Sequence, residues 1–245
     1  MGRLSWSSKG AWRGGALGLG GFLLFIIQPA VADERRSTME FWGGAEVNAN
    51  SWSTYSGATI ALSGFLETDG WRLRIGDGYG TYSYESDGGS TIRGHVGFGE
   101  LLLGYQHQLG SLTLKGFVGA AAEAHTLSPF DTETTVVGTD YGVKTALESW
   151  WEITPEVWTS LDLSWSSVHG GTYAAHARAG YRIKPELSLG VEGTAKGNAE
   201  YDGGRLGALV RFSWSGGEIA ASTGASIDRS GETGGYGALH ALYRY

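Results

Sequence analysis

The chain has 245 residues, a net charge of −7 and no cysteine. An acidic sequence without a basic run is a poor nucleic-acid binder, and the missing cysteines exclude a disulfide scaffold, a thiol nucleophile and a thiolate metal site. Its 42 glycines are more than twice the usual ~7 %, but recurrent Trp, Tyr, Val and Ile separate it from disordered chains, and glycine with aromatics and few prolines suits strongly curved strands.

Residues 1–32 read as a signal peptide. Arg3, Lys9 and Arg13 form a positive region, 16–27 is apolar, and Ala30-Val31-Ala32 is a small-x-small cleavage site. The apolar stretch is shorter than the ~20 residues a membrane helix needs. Residues 33–245 are then expected to form one β-barrel domain. They contain no run of 18 apolar residues, so helical membrane spans are not expected.

From Phe41 onward the sequence alternates with a period of two. Phe41, Ala45 and Val47 oppose Trp42 and Glu46. Ala58, Ile60 and Leu62 follow, then Trp71, Leu73 and Ile75 opposing Arg72 and Arg74. Between Ile92 and His107 the apolar parity changes near Gly99-Glu100, which predicts a bulge. Leu112, Leu114 and Val118 alternate with Lys115 and Phe117, and Tyr141 to Leu147 alternate with Lys144 and Glu148. Val157 to Trp165 oppose Trp158 and Asp162. Tyr173 to Tyr181 oppose His176 and Arg178. Leu187 to Val191 oppose Glu192, Leu206 to Trp214 oppose Arg205 and Arg211, and weaker alternations cover 219–227 and 239–245. This makes twelve candidate strands, with ten or fourteen also compatible.

The connections alternate in length. Tight turns are predicted at 67–70, 109–111, 154–156, 184–186 and 215–217. Longer polar loops are predicted at 48–54, 85–93, 125–138, 168–172, 197–204 and 228–235. Short turns at one end and long loops at the other are the pattern of an all-β, antiparallel, up-and-down outer-membrane barrel with both termini on the tight-turn side. The basic residues Arg72, Arg74, Lys115, Lys144, Arg178, Arg205 and Arg211 share the polar parity. That keeps them away from lipid, where Arg or Lys at mid-depth costs roughly 2–4 kcal/mol. Two aromatic belts are expected. One comprises Trp71, Tyr105, Trp151, Tyr181, Trp214 and Tyr243, and the other Tyr55, Tyr141, Trp165 and Tyr173. A soluble β-sandwich would alternate too, but the small and charged inward residues supply no dry core for it.

The inward parity holds a mixed-sign constellation: Glu46, Arg72, Arg74, Lys115, Glu123, Lys144, Glu148, Asp162, Arg178, Glu192, Arg205 and Arg211, together with His176. Trp42, Phe117, Trp150, Trp158 and Tyr82 or Tyr84 point the same way. The first reading is a salt-bridge network that plugs a narrow barrel. The second is a conduit. Twelve strands at ~4.8 Å spacing and ~40° tilt give a diameter of roughly 24 Å, leaving a slot of ~10 Å that fits one extended sugar chain. Inward rings would then stack on sugar faces, unless Trp150 and Trp158 are interface anchors beside the 154–156 turn.

The six histidines are scattered singly, without the close spacing of a metal site, and no cofactor is expected. There is no G-x-S-x-G elbow and no phosphate-cradling loop. Ser164 and His176 lie on neighbouring inward faces, which leaves a hydrolytic dyad open.

One resemblance is specific in order and spacing. Gly104-Tyr105-Gln106, the run from Leu112 to Gly119, and His125 to Asp131 (HTLSPFD) are followed by Gly142-Val143-Lys144. Then come Ala177-Arg178-Ala179-Gly180-Tyr181-Arg182 and Pro185-Glu186-Leu187-Ser188-Leu189-Gly190. This series resembles the cellulose biosynthesis protein BcsS family of alphaproteobacteria. The resemblance implies an exported, non-enzymatic accessory protein of cellulose biosynthesis and secretion, with no catalytic residues to carry over. Its expected partners are outer-membrane lipid, cellulose (a β-1,4-glucan) and cellulose-secretion proteins. Three functions follow as expectations: a narrow glucan channel, a plugged scaffolding barrel, or an outer-membrane hydrolase.

Overall fold

The structure, a computed structural model, describes residues 36–86, 89–229, 231 and 233–245. The expected signal peptide lies outside the described residues. Twelve strands follow one another: β1 (Met39–Asn48), β2 (Ser51–Ala61), β3 (Gly70–Glu85), β4 (Thr91–Leu109), β5 (Leu112–Ser128), β6 (Gly138–Glu152), β7 (Val157–Ser166), β8 (Thr172–Lys184), β9 (Leu187–Gly197), β10 (Asp202–Trp214), β11 (Gly217–Asp228) and β12 (Thr233–Arg244). Each pairs antiparallel with its neighbours in sequence, and β1 closes on β12 through the register Glu40↔Arg244 to Asn48↔Tyr236. Closure satisfies every strand edge, the condition for crossing a bilayer with strands.

The period-two pattern explains the wall. On β4, Leu101, Leu103 and Tyr105 are exposed on the outer face, whereas Glu100, Leu102 and Gln106 are buried inside. The outer face of other strands carries Ile75, Val118, Val143, Leu161, Leu189, Val210 and Leu239, all exposed. Trp71 and Tyr105 meet edge-on across β3 and β4, with ring centroids 5.5 Å apart. With Trp151 and Tyr181 they form the belt at the tight-turn end. Glycine serves the inner wall where a ring lies flat against it. A side chain at Gly57 or Gly76 would collide with the Trp42 indole, and one at Gly180 with Trp158.

Three local expectations are corrected. First, β4 has no bulge at Gly99-Glu100. Gly99 pairs with Asp77 and Ala122, and Glu100 with Gly76 and Ala121, in unbroken register. The backbone does not change parity; the hydrophobicity does. Phe98 turns inward against Gly78, while Gly97 and Gly99 occupy the outer positions. The irregularity lies instead between Arg182 and Lys184 of β8.

Second, the predicted long loop 48–54 is a two-residue turn at 49–50. Asn48 Oδ1 accepts the N–H groups of Asn50 (3.0 Å) and Ser51 (2.8 Å), an Asx arrangement that tightens it. The predicted tight turn 67–70 is instead the end of an eight-residue segment, 62–69. Third, Tyr55 points into the lumen rather than joining the upper belt. Trp52 and Tyr79 stand outside in its place, with rings 5.8 Å apart.

Candidate functional site in the barrel lumen

The segment 62–69 folds under the barrel as a stopper at the tight-turn end. Leu66 is buried, and its N–H donates to the Ser37 carbonyl at 2.8 Å. Arg72 is fully buried and holds the stopper from within, donating to the carbonyls of Phe65 (2.7 Å), Thr68 (2.5 Å) and Ser63 (3.2 Å). Gln106 Nε2 adds Leu66 (2.6 Å) and Thr68 (3.1 Å). Asp69 Oδ1 accepts the Gln108 N–H, and Oδ2 meets His107 Nδ1, both at 2.7 Å. These hydrogen bonds hold the Asp69 carboxyl below its usual range. Arg72 therefore belongs to the closure of the barrel end and not to an open lumen.

Above the stopper a relay of ion pairs crosses the barrel. Glu40 on β1 takes Arg244 at 2.8 Å and Lys115 of β5 at 3.4 Å. Lys115 also lies 3.4 Å from Glu148 on β6, which binds Arg74 of β3. Arg74 continues to Glu100 at 2.7 Å, and Glu100 to Lys144 at 2.5 Å. On the opposite wall Arg211 binds Glu218 at 2.5 Å, and Arg178 sits 3.9 Å from Glu218 and 4.0 Å from Asp162. Burying a charge without a partner costs several kcal/mol. The alternating signs are what let so many charges sit inside a narrow tube.

The inward rings are already covered. The Arg74 guanidinium lies 4.9 Å from the Trp42 ring and 5.8 Å from Phe117. Trp150 and Trp158 stack on each other, 4.8 Å apart and 16° from parallel. Arg211 then caps both, at 4.7 and 5.0 Å, and Trp158 is fully buried. These two tryptophans are inward packing groups and not interface anchors. Cation–π contact uses the ring faces that a sugar would need.

Toward the long-loop end Glu46 accepts hydrogen bonds from Nη1 and Nη2 of Arg205, at 2.7 and 2.9 Å, and lies 3.2 Å from Lys196. Glu192 receives Ser222 Oγ at 2.6 Å and the Tyr236 hydroxyl at 3.1 Å, and its other oxygen is 3.2 Å from His176 Nε2. His240 stands beside His176, ring centroids 5.6 Å apart. A cavity of about 130 Å³ opens between Trp42, Tyr55, Asp162, His176, Arg178 and His240. His176 faces Asp162 across the β7–β8 pair and meets Glu192 through Nε2, whereas Ser164 faces Ala174.

At the mouth, His125 Nδ1 bonds the Tyr82 hydroxyl (2.8 Å) and Nε2 meets Glu123 (2.7 Å), with the His169 ring edge-on at 5.1 Å. Both Tyr82 and Tyr84 point inward, their rings stacked 6.3 Å apart. Glu200 pins the loop 129–137 by accepting the Thr135 N–H (2.5 Å), Thr135 Oγ1 (2.6 Å) and Thr134 Oγ1.

The barrel thus brings the sequence-predicted Glu46, Arg74, Lys115, Lys144, Glu148, Asp162, Arg178, Glu192, Arg205 and Arg211 into contacts inside the lumen. Lys115–Glu40, Arg74–Glu148 and Arg205–Glu46 span it, whereas Lys115–Glu148, Arg211–Glu218, Arg178–Asp162 and Glu192–His176 join neighbouring strands. Glu40, Glu100, Glu218 and Arg244 are equally part of them. Glu40, Glu218 and Arg244 lie at strand ends, and Glu100 sits at the false parity change. Sequence reasoning singled out none of the four, and nothing local marked them. Among the described residues, two three-residue groups with ligand atoms within 4.8 Å also form, Glu123–His125–His169 and His176–Glu192–His240. Histidines that are single along the sequence are neighbours across the lumen.

The profile of the cellulose biosynthesis protein BcsS family matches residues 40–245. Among solved structures, the transport unit of the autotransporter AIDA-I from Escherichia coli aligns with a TM-score of 0.51 at 13% identity, over 91% of this chain and 94% of that one. The KdgM porin aligns with a TM-score of 0.45 at 9% identity, over 84% and 99%. The NanC porin gives 0.45 at 10%, over 84% and 100%. At such identities the AIDA-I likeness concerns the barrel fold alone. No curated protein matches the chain.

Proposed function

The chain belongs to the cellulose biosynthesis protein BcsS family, and from that premise we propose that it is a non-enzymatic outer-membrane barrel serving cellulose secretion as a closed scaffold. The observation that carries this reading is the pair of contacts through the barrel centre, Lys115 to Glu40 and Arg74 to Glu148. A glucan chain threading the lumen would have to break both. Guanidinium groups also cover the rings that would stack on glucose. What such a barrel offers to secretion proteins is its loop surface, above all 129–137 fastened by Glu200. The hydrolase reading draws no support from Ser164 and His176. Export by a signal peptide cleaved after Ala32 belongs to the same proposal, and N-terminal sequencing of the envelope form checks it by starting, or failing to start, at Asp33.

The scaffold role is tested by affinity purification of the full chain from detergent-solubilised envelopes of cellulose-producing cells. Recovery of cellulose-secretion proteins in stable proportion supports it. A chain recovered alone, with cellulose output unchanged in its absence, contradicts it.

A further inference from the structure

The lumen cavity has chemistry that the ion-pair network does not use. Among the described residues, four buried side-chain polar atoms have no hydrogen-bond partner, and one is His240 Nε2. It belongs to the ring whose Nδ1 bonds the Tyr55 hydroxyl. Beside it lie His176, from β8, and Glu192, from β9, and ligand atoms of the three residues fall within 4.8 Å of one another. A buried imidazole nitrogen without a partner is a specific anomaly, since buried polar groups are nearly always paired.

We propose that His176, Glu192 and His240 form a binding site for a divalent transition metal of the zinc class. Two imidazoles and one carboxylate are the ligand set such ions take when a fourth position is left for water. The groups behind the ligands are in place as well. The tautomer of His240 that donates Nδ1–H to the Tyr55 oxygen leaves the buried Nε2 with its lone pair free for a ligand role. Ser222 and the Tyr236 hydroxyl hold Glu192 through Oε1, leaving Oε2 directed at His176. Such outer hydrogen bonds fix ligand orientation in metal sites.

The adjoining cavity of about 130 Å³ has room for a water as fourth ligand. Arg178 lines the same cavity, and Asp162 and Glu218 at 4.0 and 3.9 Å balance its charge. A metal held here would tie β8, β9 and β12 together inside the tube. The site is independent of whether the barrel acts as scaffold or conduit.

The test uses the full chain, purified in detergent, stripped with a chelator and titrated with Co²⁺ and then Zn²⁺. Wild type is expected to develop the visible absorption of four-coordinate Co²⁺ and to lose it when Zn²⁺ displaces the cobalt. His240→Ala and the nearly isosteric Glu192→Gln are each expected to weaken uptake by about tenfold or more, with the heat-dependent gel shift showing a folded barrel. His125→Ala, at the mouth, is expected to leave the signal intact. A wild-type chain that takes up no metal overturns the proposal. So does uptake that survives His240→Ala and Glu192→Gln, or uptake that disappears with His125→Ala, which would place the ion at the mouth.

Discussion

Lys115 Nζ on β5 lies 3.4 Å from Glu40 Oε1 on β1, although β2, β3 and β4 separate the two strands around the wall. The contact exists only because the barrel is narrow enough for side chains to meet through its centre. Glu40 is held a second time by Arg244, and Lys115 a second time by Glu148.

That double holding sets the response to mutation. Orphaning a buried charge costs about 3–5 kcal/mol, but in Lys115→Met each carboxylate keeps an arginine. The expected loss of stability is below that range, read as a lower urea midpoint of the heat-dependent gel shift. Glu148→Gln likewise leaves Arg74 with Glu100 and Lys115 with Glu40, so a loss of similar, limited size is expected. A loss from either single change as large as that of an orphaned charge would mean that the second partners do not hold the relay together.

Trp158 is predicted to be structural. Trp158→Ala empties a fully buried site beneath Arg211 and is expected to cost about 3–5 kcal/mol. Trp150→Ala, at a less buried position of the same stack, should cost less. Neither change is expected to alter cello-oligosaccharide binding measured by intrinsic fluorescence or calorimetry. A selective loss of sugar binding with stability intact would assign the pair to recognition.

The outer wall is tested by Leu101→Arg. Leu101 pairs with Ile75 between the Trp71–Tyr105 belt and the Trp52–Tyr79 pair. Arginine near the bilayer midplane costs roughly 2–4 kcal/mol, so folding into lipid vesicles should weaken by that amount. An unchanged folding free energy would show that this face does not meet lipid.

Glu200 gives a pH dependence outside the strands. Its partial burial raises the carboxyl, but the hydrogen bonds from Thr134 and Thr135 outweigh this and bring the pKa below its model-compound value of 4.5. A lowered folded pKa means stability fully present above about pH 4.5 and lost as pH falls through the folded value. The group is near the surface, so the effect is about 1 kcal/mol or less. Limited proteolysis of loop 129–137 should therefore speed up in acid, and Glu200→Gln should show the faster cleavage already at neutral pH.

Much of the fold was legible because strands in a membrane barrel obey one rule everywhere: alternate, and keep charge off the lipid face. Arg74, Lys144, Arg178 and Arg211 could be placed on the inner face from parity alone. The rule fails where the inner face is itself apolar. Ile92 and Phe98 point inward near the mouth, which made the hydrophobic pattern, and not the backbone, switch sides at Gly99-Glu100. Local pattern also misjudged 62–69, because what holds its backbone in place is Arg72 and Gln106 reaching its carbonyls from β3 and β4. Pairings such as Arg74 with Glu148, or His176 with His240, depend on which strands face each other across the tube. Closure and register decide that, not nearby sequence.

The central claim is that the lumen is shut by its own side chains. It is tested most directly by single-channel recording of the purified full chain in a planar lipid bilayer. The account predicts a silent wild-type barrel, with conductance steps emerging when Arg74 and Lys115 are both replaced by alanine. Steady wild-type conductance that cello-oligosaccharides block would contradict it.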